Sequence, residues 1–275
     1  MQLKSQLSAD AIYQAVTLIK QNSPLVHNIT NTVSMQTIAN MLLALGASPI
    51  MAHAPEELEN IVSIAQSLVL NIGTLDKASL ACMAQAQQYA NTRQIPIILD
   101  PVGAGASTFR TIEAKNILQR GVTVVRGNAS EILALYDQKN STKGVDSTQQ
   151  SEFALQSAMH LSKQYNCCVV ISGQQDIICW NNIVLSVNHG TALLTRVTGM
   201  GCSVTALIGA FIAVIPHPAL ASMYAMATLG LAAEKAERIS QGPGSFYPAL
   251  LDVLYSLQPN DFVNFHCEEL VTCSI

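Results

Sequence analysis

Pro96-Ile97-Ile98-Leu99-Asp100-Pro101-Val102-Gly103 decides the fold. An unbroken apolar run closed by a carboxylate and a Pro/Gly turn reads as a short strand covered on both faces, with a polar tip. The design recurs as Ser67-Leu68-Val69-Leu70-Asn71-Ile72-Gly73, as Val122-Thr123-Val124-Val125-Arg126-Gly127-Asn128, and as Cys167-Cys168-Val169-Val170-Ile171-Ser172-Gly173. Helical stretches lie between them: residues 75–91, residues 111–119, and one opening near Ser130 and another ending near Tyr165. Strands that alternate with helices predict a doubly wound α/β fold with a mainly parallel sheet. Ligands of such folds bind outside the C-terminal ends of the strands, where these polar tips gather.

Outward from this centre, Ser8 caps a first helix over 9–21, and Leu25-Val26-His27-Asn28-Ile29-Thr30-Asn31, studded with short polar side chains, reads as a loop able to meet a ligand. Residues 37–45 form a helix closed by Gly46, Ser48 to Met51 a short strand, and Pro55 to Glu59 a helix start. After the polar stretch Asp137 to Glu152, Ile177–Trp180 and Ile183–Val187 flank Asn181-Asn182 as an antiparallel hairpin added to the sheet. Two apolar helices, over 204–215 and 221–239, are separated by Pro216-His217-Pro218.

The 275 residues contain no linker, so the chain 1–275 is expected to be a single domain. Apolar residues make up 49% and charged residues 12%, more apolar surface than a monomer of this size needs, which implies cover by other subunits. A net charge of −4 without a basic cluster excludes a nucleic-acid surface. The longest apolar run is about 12 residues against the roughly 20 that cross a bilayer, so no membrane contact is expected. Seven cysteines (82, 167, 168, 179, 202, 267 and 273) with no CxxC pair, and a polar start over residues 1–10, point to a reducing cytoplasm.

The chemistry centres on Arg196-Val197-Thr198-Gly199-Met200-Gly201-Cys202-Ser203. Two glycines admit a ligand close to the backbone, and a helix starting near Gly201 aims its unpaired N–H groups at the same point, which suits an anion. Val204, Leu207, Ile208 and Phe211 give that helix a core-facing stripe. Cys202 has two readings: a base or nucleophile with its pKa pulled down at the helix end, or a small buried hydrophobe. Asp100 ends a buried strand and needs a partner, Glu131 is either a water-mediated Mg²⁺ ligand or a capping-box partner of Asn128, and Arg126 is either an anion contact or a structural ion pair. With neither a GxxxxGK[ST] loop nor a GxGxxG helix opening, phosphoryl transfer would rely on the late Gly-rich turn, Mg²⁺ and a group facing the acceptor hydroxyl.

These motifs, with Pro24 to Asn31, Gly46 to Met51, Asn71 to Leu75, Asp100 to Ala104, Arg126 to Glu131, Val197 to Cys202 and Gly242 to Phe246, resemble the hydroxyethylthiazole kinase family of the ribokinase-like superfamily over nearly the whole chain. The resemblance implies a ribokinase-like three-layer αβα sandwich that phosphorylates the thiazole alcohol of thiamine salvage with ATP and Mg²⁺. It places Cys202 where most ribokinase-like enzymes carry an aspartate base, with the 199–202 backbone, Gly199, Met200, Gly201 and Cys202, as anion hole. Met51, Gly199 and Asn28 would contact the alcohol, Arg126 and Ser172 the ATP, and Asp100 and Glu131 the Mg²⁺ and its waters. A homotrimer with active sites between subunits is also implied. The chain departs from the family pattern at Met200, where a small residue is usual, and at Ser172, where threonine is usual. Rival readings are a kinase of hydroxymethylpyrimidine, pyridoxal or a sugar, a Cys202 hydrolase using His27, His53 or His189, and a non-catalytic binding protein.

Overall fold

The computed structural model describes residues 5–136 and 147–270. Cys273, the first four residues and residues 137–146 of the polar stretch lie outside them. In chain order the elements are α1 (Ala9–Asn22), β1 (Leu25–Ile29), α2 (Met35–Leu45), β2 (Ser48–Ile50), α3 (Leu58–Ile64), β3 (Ser67–Asn71), α4 (Lys77–Thr92), β4 (Ile97–Asp100), α5 (Thr108–Gln119) and β5 (Val124–Asn128). Then come α6 (Ala129–Tyr136), α7 (Ser147–Tyr165), β6 (Cys168–Ser172), β7 (Asp176–Trp180), β8 (Ile183–Val187), α8 (Met200–Val214), α9 (Pro218–Arg238), α10 (Pro243–Tyr255) and β9 (Cys267–Glu269).

One sheet runs in the order β2-β1-β3-β4-β5-β6-β7-β8-β9. The ladders from β2 through β6 are parallel, and those joining β6 to β7, β7 to β8 and β8 to β9 are antiparallel. The mainly parallel sheet with its added hairpin is therefore observed, with β9 extending the antiparallel part. Successive strand residues face opposite layers, as a period of two requires. Val69, Ile98 and Val124 pack with α1, α2, α8, α9 and α10, whereas Leu68, Leu70, Ile97, Leu99 and Val125 pack with α3 to α7. The result is a three-layer αβα sandwich.

Three local readings change. Leu25 to Ile29 is strand β1 and not a loop: its polar side chains are buried, with His27 Nε2 bonded to Ala52 O at 2.7 Å, which ties β1 to the segment after β2. Helix α8 has no single apolar stripe, because it is buried all round, lying across β1, β3 and β4 beneath α9. Helix α10, which starts in the Gly242-Pro243-Gly244 turn and buries Phe246, Leu250, Val253 and Leu254 at helical spacing, and strand β9 add to the predicted elements.

The chain leaves β1 toward β2 on one side and, through β3, toward the rest of the sheet on the other. The crevice at the β1/β3 C-terminal ends is thus a topological switch point, the place where this class of sheet binds ligands.

Candidate active site

Helix α8 points its first turn at this crevice. Gly199 caps it in the left-handed region at φ 87°, and a Cβ there would stand 3.0 Å from the Ser34 Cβ at the start of α2. Glycine is required by both the backbone and the approach. Ser203 N–H makes the first helical bond, to Gly199 O at 2.8 Å, so the amides of Met200, Gly201 and Cys202 precede the ladder and can meet an anion. Met200 is 4% exposed and packs into the apolar core; its bulk is absorbed there.

Beside this turn stands a buried polar chain. Asn31 Nδ2 donates to Cys202 Sγ at 3.4 Å and to Asn71 Oδ1 at 2.8 Å. Asn71 Nδ2 donates to Asp100 Oδ2 at 2.9 Å, and Thr205 Oγ1, on α8, donates to the same oxygen at 2.9 Å. Pairing of β3 with β4 sets Asn71 opposite Asp100, which explains why the two side chains meet. Burial pushes the Asp100 carboxyl up to about 7, against the pull of Arg126; Glu131 pushes the same way as burial, and the Thr205 and Asn71 bonds oppose it.

Cys202 corrects one expectation. Its pKa lies above the ordinary thiol value, not below, because burial and the Asp100 carboxylate outweigh the Ser34, Asn71 and Asn31 side chains that favour the thiolate. At neutral pH it is a thiol. Among the described residues no histidine bonds to it: His27 is occupied by Ala52 O, His53 is exposed beside Met51 O, and His189 bonds Glu234 and His266. The nucleophile arrangement that a thiol hydrolase needs is missing among them.

On the other side of the α8 start lies a cavity of about 790 Å³, within the range of small-molecule sites. Arg126, Ser172, Met200, Gly201, Asp176 and the 188–195 segment line it, with Met226, Leu229 and Gly230 of α9. Arg126 lies so close over Gly201 that a Cβ there would be 2.9 Å from Nη1. Its Nη2 donates to Ser172 Oγ at 2.5 Å, while its buried Nε has no partner. Arg126 makes no ion pair within 4 Å among the described residues; it is a poised cation held by Ser172. Burial pushes the neighbouring Asp176 up to about 6, opposed by the Gly173 N–H on its Oδ1 and by Arg126.

Glu131 is a capping-box partner: Oε2 accepts from Asn128 N–H and Oε1 from Gly103 N–H, both at 2.9 Å, while Asn128 Oδ1 accepts from Glu131 N–H. Each Glu131 oxygen keeps a lone pair, so the capping role leaves it able to accept a further bond. Asn28 is 1% exposed, donates to Val26 O and leaves Oδ1 unpaired; Met51 is half-buried after β2, and no hydrogen bond joins either to Cys202. Asn31, Asn71, Thr205 and Asp176 were not singled out from the sequence. The first two sit in the motifs at the ends of β1 and β3, which was the available signal.

A three-layer sandwich whose α8 start, with its free amides, stands between the cavity and a half-buried thiol has the architecture of a ribokinase-like kinase. Likeness to solved structures agrees: a pyridoxal kinase from Staphylococcus aureus, determined with AMP-PCP and pyridoxal, shares the fold at a TM-score of 0.57 and 15% identity over 74% of this chain and 85% of that one. The hydroxyethylthiazole kinase structure from Pyrococcus horikoshii superposes with a TM-score of 0.87 at 43% identity, covering 94% of this chain and 98% of that one. The profile of the hydroxyethylthiazole kinase family matches residues 16–260. Hydroxyethylthiazole kinases of Syntrophus aciditrophicus and Brachyspira hyodysenteriae are each 49% identical, over 93% of this chain and 96% and 97% of theirs. The chain belongs to the hydroxyethylthiazole kinase family.

Proposed function

We propose that the protein transfers the γ-phosphoryl group of ATP to the hydroxyl of 4-methyl-5-(2-hydroxyethyl)thiazole, in thiamine salvage, acting as one domain in the cytoplasm. The observation that carries this is the shared helix start: Cys202 and its amide chain on one side, Arg126 over Gly201 and the cavity on the other. ATP occupies the cavity, with its phosphates reaching Arg126, Ser172 and the amides of Gly199, Met200, Gly201 and Cys202. The alcohol lies on the Cys202 side, against Gly199, Met51 and Asn28.

Asp100 and Glu131 fit Mg²⁺ as hard oxygen donors whose remaining lone pairs suit a hydrated ion. When bound, Mg²⁺ would supply neutralisation of the phosphate charge. As the acceptor oxygen bonds to phosphorus, the bond to the ADP oxygen breaks, and the hydroxyl proton passes to an oxygen of the transferred phosphoryl group. In a loose transition state that proton leaves late, so a protonated thiol serves by holding the acceptor oxygen in line more than by basicity.

Thiazole-dependent ADP formation by the purified protein, with and without Mg²⁺, tests the reading; no release of ADP above the alcohol-free rate overturns it. Cys202→Ala should lower kcat by at least about tenfold while ATP binding persists. Exposed Val33, Leu43 and Ile64, on or beside α2 and α3, support cover by other copies, and the family resemblance implies that the assembly is a trimer.

A further inference from the structure

Asn31 is the most fully committed side chain in the polar chain beside Cys202. Its Oδ1 accepts the Ser34 N–H at 2.9 Å, and the two hydrogens of Nδ2 go to Asn71 Oδ1 and Cys202 Sγ. A flipped amide would set Nδ2 against the Ser34 N–H and Oδ1 against Asn71 Oδ1, so the orientation is forced. Asn71 is fixed in turn: its Oδ1 also accepts the Gly73 N–H at 3.0 Å, leaving Nδ2 for Asp100. The room is tight as well, since a Cβ on Gly73 would stand 2.9 Å from three Asn31 side-chain atoms. Asn31 is 5% exposed and Asn71 2%.

We propose that Asn31 is a positioning residue for the transfer step: locked between the α2 start and Asn71, it donates to the Cys202 sulfur and turns the thiol's own hydrogen and its free lone pair toward the acceptor alcohol. Sulfur takes hydrogen bonds weakly and with little directionality, so a thiol alone would sample several rotamers. An amide whose two other bonds, to the Ser34 N–H and to Asn71 Oδ1, are already made restricts that choice at little further entropic cost. This rests on the proposed placement of Cys202 beside the alcohol. The ATP cavity lies on the far side of the α8 start and has no lining residue in this chain of amides.

The test is a double-mutant cycle on the full-length protein with ATP and the thiazole alcohol. Asn31→Ala should lower kcat by about tenfold while KM for ATP stays within about twofold. In a Cys202→Ala background the same change should lower kcat by less than about twofold, because the group it orients is gone. An equal drop in both backgrounds, or a rise in ATP KM matching the fall in kcat, would show a merely structural role and overturns the proposal. Should Asn31→Ala not fold, Asn31→Ser keeps an acceptor for the Ser34 N–H while losing the reach to sulfur, and is held to the same factors. If Cys202→Ala alone leaves turnover unchanged, the placement of Cys202 fails; a loss on Asn31→Ala in wild type that persists in that background then overturns the positioning route separately.

Discussion

A thiol kept protonated by burial and by a neighbouring carboxylate is a poor base, and this sets the expectation for Cys202→Asp. The new carboxylate inherits the same surroundings, in which burial and Asp100 both resist ionisation. The variant should remain active, with the rising limb of its kcat profile above the ordinary carboxylate range; a folded but inactive enzyme at every pH would remove proton acceptance from the position. Which residues were legible follows from their chemistry. Asp100 and Arg126 stood out because a charge at the end of an apolar strand demands a reason, and Cys202 because it is the one reactive group on a Gly-rich turn. Asn31 and Asn71 were silent, since amides are common in loops and only the pairing of strands shows that they touch. Asp176 was silent too, masked by the polar Gln174-Gln175 turn before it.

Elements were readable where one period dominated. The four buried strands and their helices follow from unbroken apolar runs, whereas β1, with His27 and Asn28 inside, broke the pattern while being buried all the same. The cavity wall at 188–191 could not be foreseen, because it depends on a close approach between distant segments. Gly230 of α9 lets the His189 backbone lie directly upon it: an added Cβ would be 2.6 Å from the His189 Cβ and 2.7 Å from its carbonyl carbon and oxygen. Two carboxylates of α9 complete the clamp, Glu234 accepting from Gly190 N–H at 3.0 Å and Glu237 from the Thr191 hydroxyl. Gly230→Ala should therefore displace this wall and raise KM for ATP by about tenfold while KM for the alcohol stays within about twofold, as initial-rate kinetics would record.

At the scale of the whole molecule, the buried acids make stability depend on pH in an unusual sense. The folded pKa of Asp176, about 6, exceeds its ordinary 3.8. Between those values the folded chain keeps a proton that the unfolded chain has shed, so stability falls as pH rises through the window, by up to about 3 kcal/mol from this group. Asp176→Asn should flatten that decline, seen as denaturant midpoints at pH 4 and pH 7 that differ less than in wild type. The proposed assembly predicts a light-scattering mass three times the 29.4 kDa of one chain. Finally, the His266 N–H donates to His189 Nε2 at 3.0 Å, while His189 Nδ1 faces Glu234 Oε1 at 3.1 Å. Residues near the C-terminal end of the described chain are thereby stitched to the wall of the cavity. Trimming the polypeptide before His266 would unfasten that imidazole and, if ATP lies in this cavity as proposed, raise KM for ATP.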